Sequence, residues 1–314
     1  MAKEHITVCI CTYKRPGFLK NLLSQLESQK TGGGFDFSIT IVDNDCYESA
    51  RRVVEKFRRQ TELHVRYFVE PEQNIALARN RAIANTRGEY VALIDDDEFP
   101  DEFWLATLYN AIKEYEVEGV LGPVEPYFRE KPPNWVVNGK FFTRKNHPTG
   151  FRLSWWETRT GNALLQKKIF TEAQQWFDPD LGSGGEDRDF FRRKIDEGHV
   201  FVWSNEARVH EIIPANRWRK KTLIKRALLR GKAAFFYSDS KTKSICISIL
   251  AIGIYAVLLP FMIFAGYHMF MKYIIKFCDH LGKISALIKL NFINEKYISG
   301  CDLHVRNLPG IKKG

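Results

Sequence analysis

The sequence has no CxxC pair, no internal repeat and no tract of low complexity. Its six cysteines (Cys9, Cys11, Cys46, Cys246, Cys278 and Cys301) are scattered along 314 residues. That pattern argues against a zinc ribbon or a disulfide scaffold and fits a reducing compartment. The N-terminal MAKEHITVCICTY lacks an apolar core long enough for a signal peptide, so the polar part of the chain is expected in the cytosol. The loop after the first apolar run reads CTYKRPG, with a single glycine at its end. A nucleotidyltransferase would be expected to carry a glycine-rich, cation-bearing loop there. The net charge of +10 suits a phosphate-bearing substrate, nucleic acid or an anionic membrane surface. The cations form no single stripe, which disfavours nucleic acid.

What is present is alternation. Short β-rich apolar runs at Ile6–Cys11, Ser38–Val42, His64–Val69, Tyr90–Ile94 and Gly119–Leu121 take turns with helical spacing over Gly17–Gln29, Tyr47–Arg59, Ile75–Thr86 and Asp101–Tyr115. Such alternation predicts an α/β fold: a mostly parallel, Rossmann-like sheet with helices on both faces. Cys9 and Cys11 would share one face of the first strand as small core residues. Between Gly122 and Gly150, Pro123, Pro126, Pro132, Pro133 and Pro148 interrupt any long element. Regular structure resumes over Trp155–Leu165, and Gly182–Gly185 turns into a helix over Glu186–Glu197.

A basic helix is expected over Arg217–Tyr237, followed by Ile245–Met271 with no Lys, Arg, Asp or Glu. That run is long enough to cross a bilayer with tilt, or with a kink at Pro260. Lysines on both flanks fit a re-entrant hairpin with both ends cytosolic. Lys283–Phe292 is basic and amphipathic, as an interfacial helix would be. The expected division is a catalytic domain at 1–240, with a nucleotide-binding half at 1–122 and an acceptor half at 123–240. A membrane-associated helical segment follows at 241–314.

In parallel sheets, ligands bind beyond the carboxyl ends of the strands. Asp95, Asp96 and Asp97 directly follow the apolar run Tyr90–Ile94. Three adjacent carboxylates repel one another, and a divalent cation, Mn2+ or Mg2+, would relieve that. Asp101 already suits the cap of the next helix, so the aspartates exceed local need. Asp43, after the second run, could accept hydrogen bonds from a nucleoside, although Asn44 and Asp45 also suit an Asx turn. Arg79 or Arg81 could face a diphosphate. Glu186 and Asp187 follow two glycines and could supply a general base or a helix cap. His210 is a possible third metal ligand, although a lone histidine is more often structural.

These features resemble family-2 glycosyltransferases of the GT-A fold, and specifically bacterial enzymes that build exopolysaccharide or lipopolysaccharide. ITVCICTYKRPGFLKNLLSQL is similar to their first strand, loop and helix, and TIVDN to their second strand. NIALARNRAIANTRGEYVALIDDDEFP resembles the family helix, strand and DxD run, and GGEDRDFFRR the motif bearing the base. The resemblance implies that Thr12 and Asp43 hold the nucleoside and that Arg79, Asp95 and Asp96 face the donor. It implies that Asp97, with Asp95, binds metal, and that Asp187 is the base with Glu186 in reserve. Asn162, with Trp156 close in sequence, would face the acceptor. It also implies a nucleotide-sugar donor (a UDP-sugar first), inversion by single displacement, and a lipid-linked or other saccharide acceptor at the cytoplasmic face of the inner or plasma membrane. One departure is Pro214, which stands where processive members carry Gln in Gln-x-x-Arg-Trp, so a single addition is expected. A nucleotidyltransferase and a non-catalytic sugar-nucleotide binder are the rival readings.

Overall fold

The computed structural model of the chain describes residues 3–170, 175–182, 184–236, 238 and 240–288. The chain begins with β1 (Glu4–Thr12), α1 (Pro16–Glu27), β2 (Phe35–Asp43), α2 (Arg51–Arg58), β3 (Val65–Val69) and α3 (Ile75–Ala84). It continues through β4 (Tyr90–Leu93), β5 (Glu98–Pro100), α4 (Trp104–Glu114), β6 (Gly119–Leu121), β7 (Val124–Tyr127) and α5 (Asn134–Gly139). Then come β8 (Ala163–Gln166), α6 (Glu186–Asp196), β9 (Phe201–Trp203), β10 (Val209–Ile212), α7 (Lys220–Phe236), α8 (Lys241–Met262) and α9 (Tyr267–Leu287).

The seven-stranded sheet has the order β3-β2-β1-β4-β8-β6-β9. Strands β3, β2, β1 and β4 are mutually parallel, β8 is antiparallel to both neighbours, and β9 is parallel to β6. The expected mostly parallel α/β architecture is therefore present. Its register aligns the carboxyl ends: Thr12 lies opposite Asp43, Asp43 opposite Val69, and Cys9 opposite Leu93. A second sheet, β5-β10-β7, was not expected from the sequence; its strands are only three or four residues long, too short for an alternation to register.

Alternation along β1 feeds two cores, one on each face of the sheet. Ile6, Val8 and Ile10 pack with Leu19, Leu22 and Leu26 of α1 and with Trp104 and Leu108 of α4. Cys9 and Cys11 pack on the other face with Ala76, Ala78 and Ala82 of α3 and Phe190 and Phe191 of α6. Helix α1 starts at Pro16, where the missing N–H costs nothing and φ is already helical. Helix α3 starts at Asn74, whose side chain accepts from the N–H groups of Ala76 and Leu77 at 2.9 and 3.3 Å. Helix α4 starts later than expected. Asp101 does not cap it by its side chain, because that carboxylate is engaged by His210 across β5 and β10.

By contacts the chain falls into two compact units. Among the described residues, one takes 3–125 and 144–211 and the other takes 126–143 and 212–288. Residues 126–143 and 212–240, expected with the catalytic domain, thus group with the C-terminal helices, because α5 and α7 pack on α9. The long uncharged run is two helices, not one. The break covers residues 263–266 and ends at Gly266, with φ of 107°, which only glycine adopts freely, whereas Pro260 stays inside α8. Helix α8 is long and apolar enough to cross a membrane and is barely covered by the rest of the chain. The expected amphipathic stretch Lys283–Phe292 ends outside the described residues, and Cys301 lies there too.

Helices α7 and α9 cross at glycine. A Cβ on Gly282 would lie 2.2 Å from the Leu228 carbonyl oxygen, and one on Gly231 would lie 1.9 Å from that of Asp279. Beside this crossing Arg230 pairs with Asp279 at 2.7 Å. Intrinsic helix propensity alone would make Gly282→Ala stabilising by about 1 kcal/mol. The backbone contact reverses the expected sign. Thermal unfolding of the detergent-solubilised variant should show a lower midpoint than wild type, and a higher one would refute the close crossing.

Candidate functional site

The parallel strands deliver polar residues to one edge of the sheet. At the end of β4 the chain turns tightly: the Glu98 N–H donates to the Asp95 carbonyl at 3.1 Å, and the Asp95 N–H donates to the Glu98 carboxylate at 2.9 Å. Asp96 points inward and accepts from the Thr12 hydroxyl at 2.7 Å. Arg15, at the start of α1, reaches across with Nη1 3.2 Å from both Asp96 Oδ1 and Asp97 Oδ2. One half-exposed guanidinium thus serves two enclosed carboxylates. Burial, reinforced by Asp95 and Asp96 and only partly offset by Arg15, pushes Asp97 up to about 7. Burial also raises Asp96 and Glu98 above the ordinary carboxylate range. Nearby Cys11 is pushed up to about 12 by burial, so it is a thiol at neutral pH and no nucleophile.

The second acidic motif arrives on α6. Gly185, with φ of 107°, turns the chain into the helix, and Glu186, Asp187 and Asp189 fill its first turn, where the helix dipole favours them. This segment is registered on α3 by asparagines. Asn80 exchanges two hydrogen bonds with the Phe177 backbone, at 2.7 and 2.8 Å, and Asn74 donates to the Pro179 carbonyl at 2.9 Å.

Between the motifs stands Arg79. Its Nη1 pairs with the Glu186 carboxylate and its Nη2 lies 3.3 Å from Asp95 Oδ1, while its guanidinium sits 5.8 Å from the Phe177 ring centroid. Burial opposes the Arg79 cation, but Glu186 and Asp95 outweigh it and hold its pKa above the ordinary value. Glu186 is enclosed and bound, and burial raises its pKa. Asp187 is half-buried, and its Oδ1 accepts the Arg188 N–H at 2.8 Å. Arg81, the other arginine considered, turns away to Glu70 at 3.3 Å.

Several expected residues already have partners within the chain. Asp43 is 0% exposed, and its oxygens accept from Ala50 N–H at 2.8 Å, Asp45 N–H at 3.2 Å and Tyr67 hydroxyl at 2.9 Å. Thr12 is spent on Asp96. Asn162 is enclosed and holds scaffold rather than facing an acceptor: it accepts from Trp104 Nε1 at 2.7 Å and donates to the Pro123 and Ala207 carbonyls at 2.8 and 2.7 Å. Trp156 is 59% exposed. His210 stacks on Phe99 and lies 3.0 Å from Asp101, and among the described residues no three His, Cys, Asp or Glu side chains converge as a metal group. The set Asp95, Asp97 and His210 is therefore not assembled, because His210 already has a carboxylate partner.

The structure adds Arg15, Glu98 and Arg144 to this edge. Arg144 lies 2.6 Å from Glu211, which pairs in register with Glu98 across β10 and β5. Glu98 follows the aspartates directly, a fourth acid at a turn, and that crowding was the available signal.

A profile of the family described as glycosyl transferase family 2 matches residues 7–174. The succinoglycan biosynthesis protein ExoM of Rhizobium meliloti is 35% identical over 235 residues, covering 73% of this chain and 73% of its own. A chondroitin synthase of Pasteurella multocida is 21% identical over 230 residues, which cover 62% of this chain but 23% of that protein. Among solved structures, a mannosyltransferase from Pyrobaculum calidifontis in complex with GDP-Man and Mn2+ superposes with a TM-score of 0.62 at 15% identity, covering 92% of this chain and 88% of that one. TarS of S. aureus in complex with UDP-GlcNAc superposes with a TM-score of 0.52 at 14% identity, covering 76% of this chain and 69% of that one.

Two stability measurements check this geometry. Arg79→Met leaves Glu186 buried without its partner and should cost roughly 3–5 kcal/mol in denaturant unfolding. Adding Glu186→Gln should recover part of that loss, and simple additivity would refute the bridge. For Asp97 the folded chain holds the proton more tightly than the unfolded one. Its contribution to stability therefore falls as pH rises from about 4 to about 7 and is flat above. With a chelator present, Asp97→Asn should raise the unfolding midpoint at pH 8 and give no gain near pH 4. A lower midpoint at pH 8 would contradict the crowded-carboxylate reading.

Proposed function

Given that the chain belongs to glycosyl transferase family 2, we propose that it moves one sugar from a nucleotide-sugar donor, a UDP-sugar first, to a lipid-linked saccharide. The reaction takes place at the cytoplasmic face of the inner or plasma membrane, with inversion. The observation that carries this reading is the meeting, through Arg79, of Asp95 at the end of β4 with Glu186 at the start of α6. It draws a donor-type acidic edge and a carboxylate pair suited to base catalysis into one place.

Asp187 is the base. Its half-buried carboxylate is available, whereas Glu186 is held by Arg79. As the acceptor oxygen attacks the anomeric carbon, Asp187 takes the hydroxyl proton, and the bond to the diphosphate breaks with its electron pair leaving on the phosphate oxygen. The donor set fits a hard divalent cation: carboxylates crowd beyond what Arg15 neutralises, and Asp97 is pushed up to about 7. Asp97 and Asp95 would hold Mn2+ or Mg2+, which supplies charge to stabilise the departing diphosphate. Mn2+ alongside GDP-Man in the mannosyltransferase complex supports this assignment. His210 is left out of the ligand set. Relatives named for polysaccharide synthesis support a saccharide acceptor.

Helix α8 supports membrane contact. It presents Ile249, Leu250, Val257 and Phe261, and Phe264 just beyond it is 90% exposed. Lys241 and Lys243 stand at one end, and Lys272 and Lys276 on α9 beyond the break suit anionic headgroups.

Donor turnover by the detergent-solubilised protein tests the chemistry. A panel of UDP-, GDP- and dTDP-sugars with Mn2+ or Mg2+ and a membrane-lipid extract should yield a nucleoside diphosphate. Asp187→Asn should lower kcat by about 10²–10⁴-fold, and Asp97→Ala should also abolish most turnover. Release of pyrophosphate instead would turn the reading to a nucleotidyltransferase. Flotation with anionic vesicles tests the membrane contact: wild type should float, and Leu250→Asp with Val257→Asp should stay at the bottom. Equal flotation would remove α8 from that role.

A further inference from the structure

One cation near the base is left out of every role so far. Arg159 sits on a fixed loop. Thr158 and Thr160 on either side of it are enclosed, and the Thr158 hydroxyl donates to the Trp155 carbonyl at 2.6 Å. At the next residue, a Cβ on Gly161 would lie 2.7 Å from Glu98 Oε1 and 3.1 Å from Asp95 Oδ2. The loop therefore lies against the acidic edge, and glycine is what lets its backbone approach so closely.

The Arg159 side chain is half-buried and makes no hydrogen bond or ion pair among the described residues. The charges that act on it are Arg144 and Asp187, then Arg188 and Glu98. Arg144 is engaged by Glu211 at 2.6 Å, while Arg188 is exposed on the first turn of α6, next to Asp187. Burial, then repulsion from Arg144, brings Arg159 down to about 10. A guanidinium carries five donors, and leaving them unmatched in a half-buried place is unfavourable unless something else accepts from them. Strained cations of this kind collect at binding sites.

We propose that Arg159, together with Arg188, forms a phosphate-binding site beside Asp187 that takes a phosphoryl group of a substrate. The planar fork of Arg159 suits two phosphate oxygens at once, and Arg188 adds charge from the helix end. Two substrates of this enzyme carry such a group: the donor, in its diphosphate, and a lipid-linked acceptor, in its own. The proposal rests on Asp187 marking the place of transfer.

The test is calorimetric binding to the full chain in uncharged detergent with chelator present. The probes are UDP and GDP for the donor, and a prenyl diphosphate for the acceptor. Arg159→Gln should weaken binding of one probe class by about 10-fold, with Arg159→Lys in between. Loss for the nucleotides assigns the site to the donor, and loss for the prenyl diphosphate assigns it to the acceptor. Unchanged affinity for both classes, or no binding of either by wild type, overturns the proposal. If Arg159→Gln does not fold by thermal unfolding, Arg188→Gln carries the test: weaker binding of the same probe supports the site and unchanged binding overturns it. Should Asp187→Asn keep full sugar turnover while Arg159→Gln loses anion binding, the assignment of the base fails and the phosphate site stands.

Discussion

A buried guanidinium without a carboxylate partner is costly in a protein core, and so is a buried carboxylate without a cation or a proton. Arg79 answers both constraints at once. It holds Asp95 and Glu186, which are far apart in the chain, and it does so from a helix already anchored by its asparagine cap. The edge of the sheet and the start of α6 are therefore one structure rather than two neighbouring ones. Removing the cation would leave Glu186 enclosed without its partner, with only the asparagine ties holding α6 to α3.

Charge at this edge is deliberately out of balance. Asp95, Asp96, Asp97 and Glu98 face Arg15 and Arg79, and burial raises Asp96 and Glu98 above the ordinary carboxylate range and Asp97 to about 7. Such an arrangement costs stability in the absence of a counter-ion and gains most from a ligand that brings positive charge. At the first turn of α6, where Glu186, Asp187 and Asp189 stand, Arg159 and Arg188 add positive charge that acts on the same region. A substrate with both a cation and phosphates is complementary to both halves.

Much of this was legible in the sequence. The alternation of strands and helices, the aspartates after β4 and the glycine turn before α6 are local patterns, and local patterns survive in a one-dimensional reading. What was lost depends on partners far apart. Asn162 reads as a polar residue in a loop, and nothing local announces that Trp104, Pro123 and Ala207 will consume its hydrogen bonds. His210 reads as a ligand until Asp101 is found across a sheet too short to predict. The helix break likewise lies beyond Pro260: α8 runs on to Met262, and the chain re-enters helix at Tyr267 behind Gly266, whose positive φ redirects it.

The asparagine ties between α3 and the segment before α6 have a mechanical consequence. Asn74 and Asn80 fasten the backbone of Phe177 and Pro179 to α3, so the start of α6 is located by side-chain hydrogen bonds and not by loop length alone. A change in the length of the loops ahead of residue 175 would then displace the start of α6 only by breaking those asparagine hydrogen bonds.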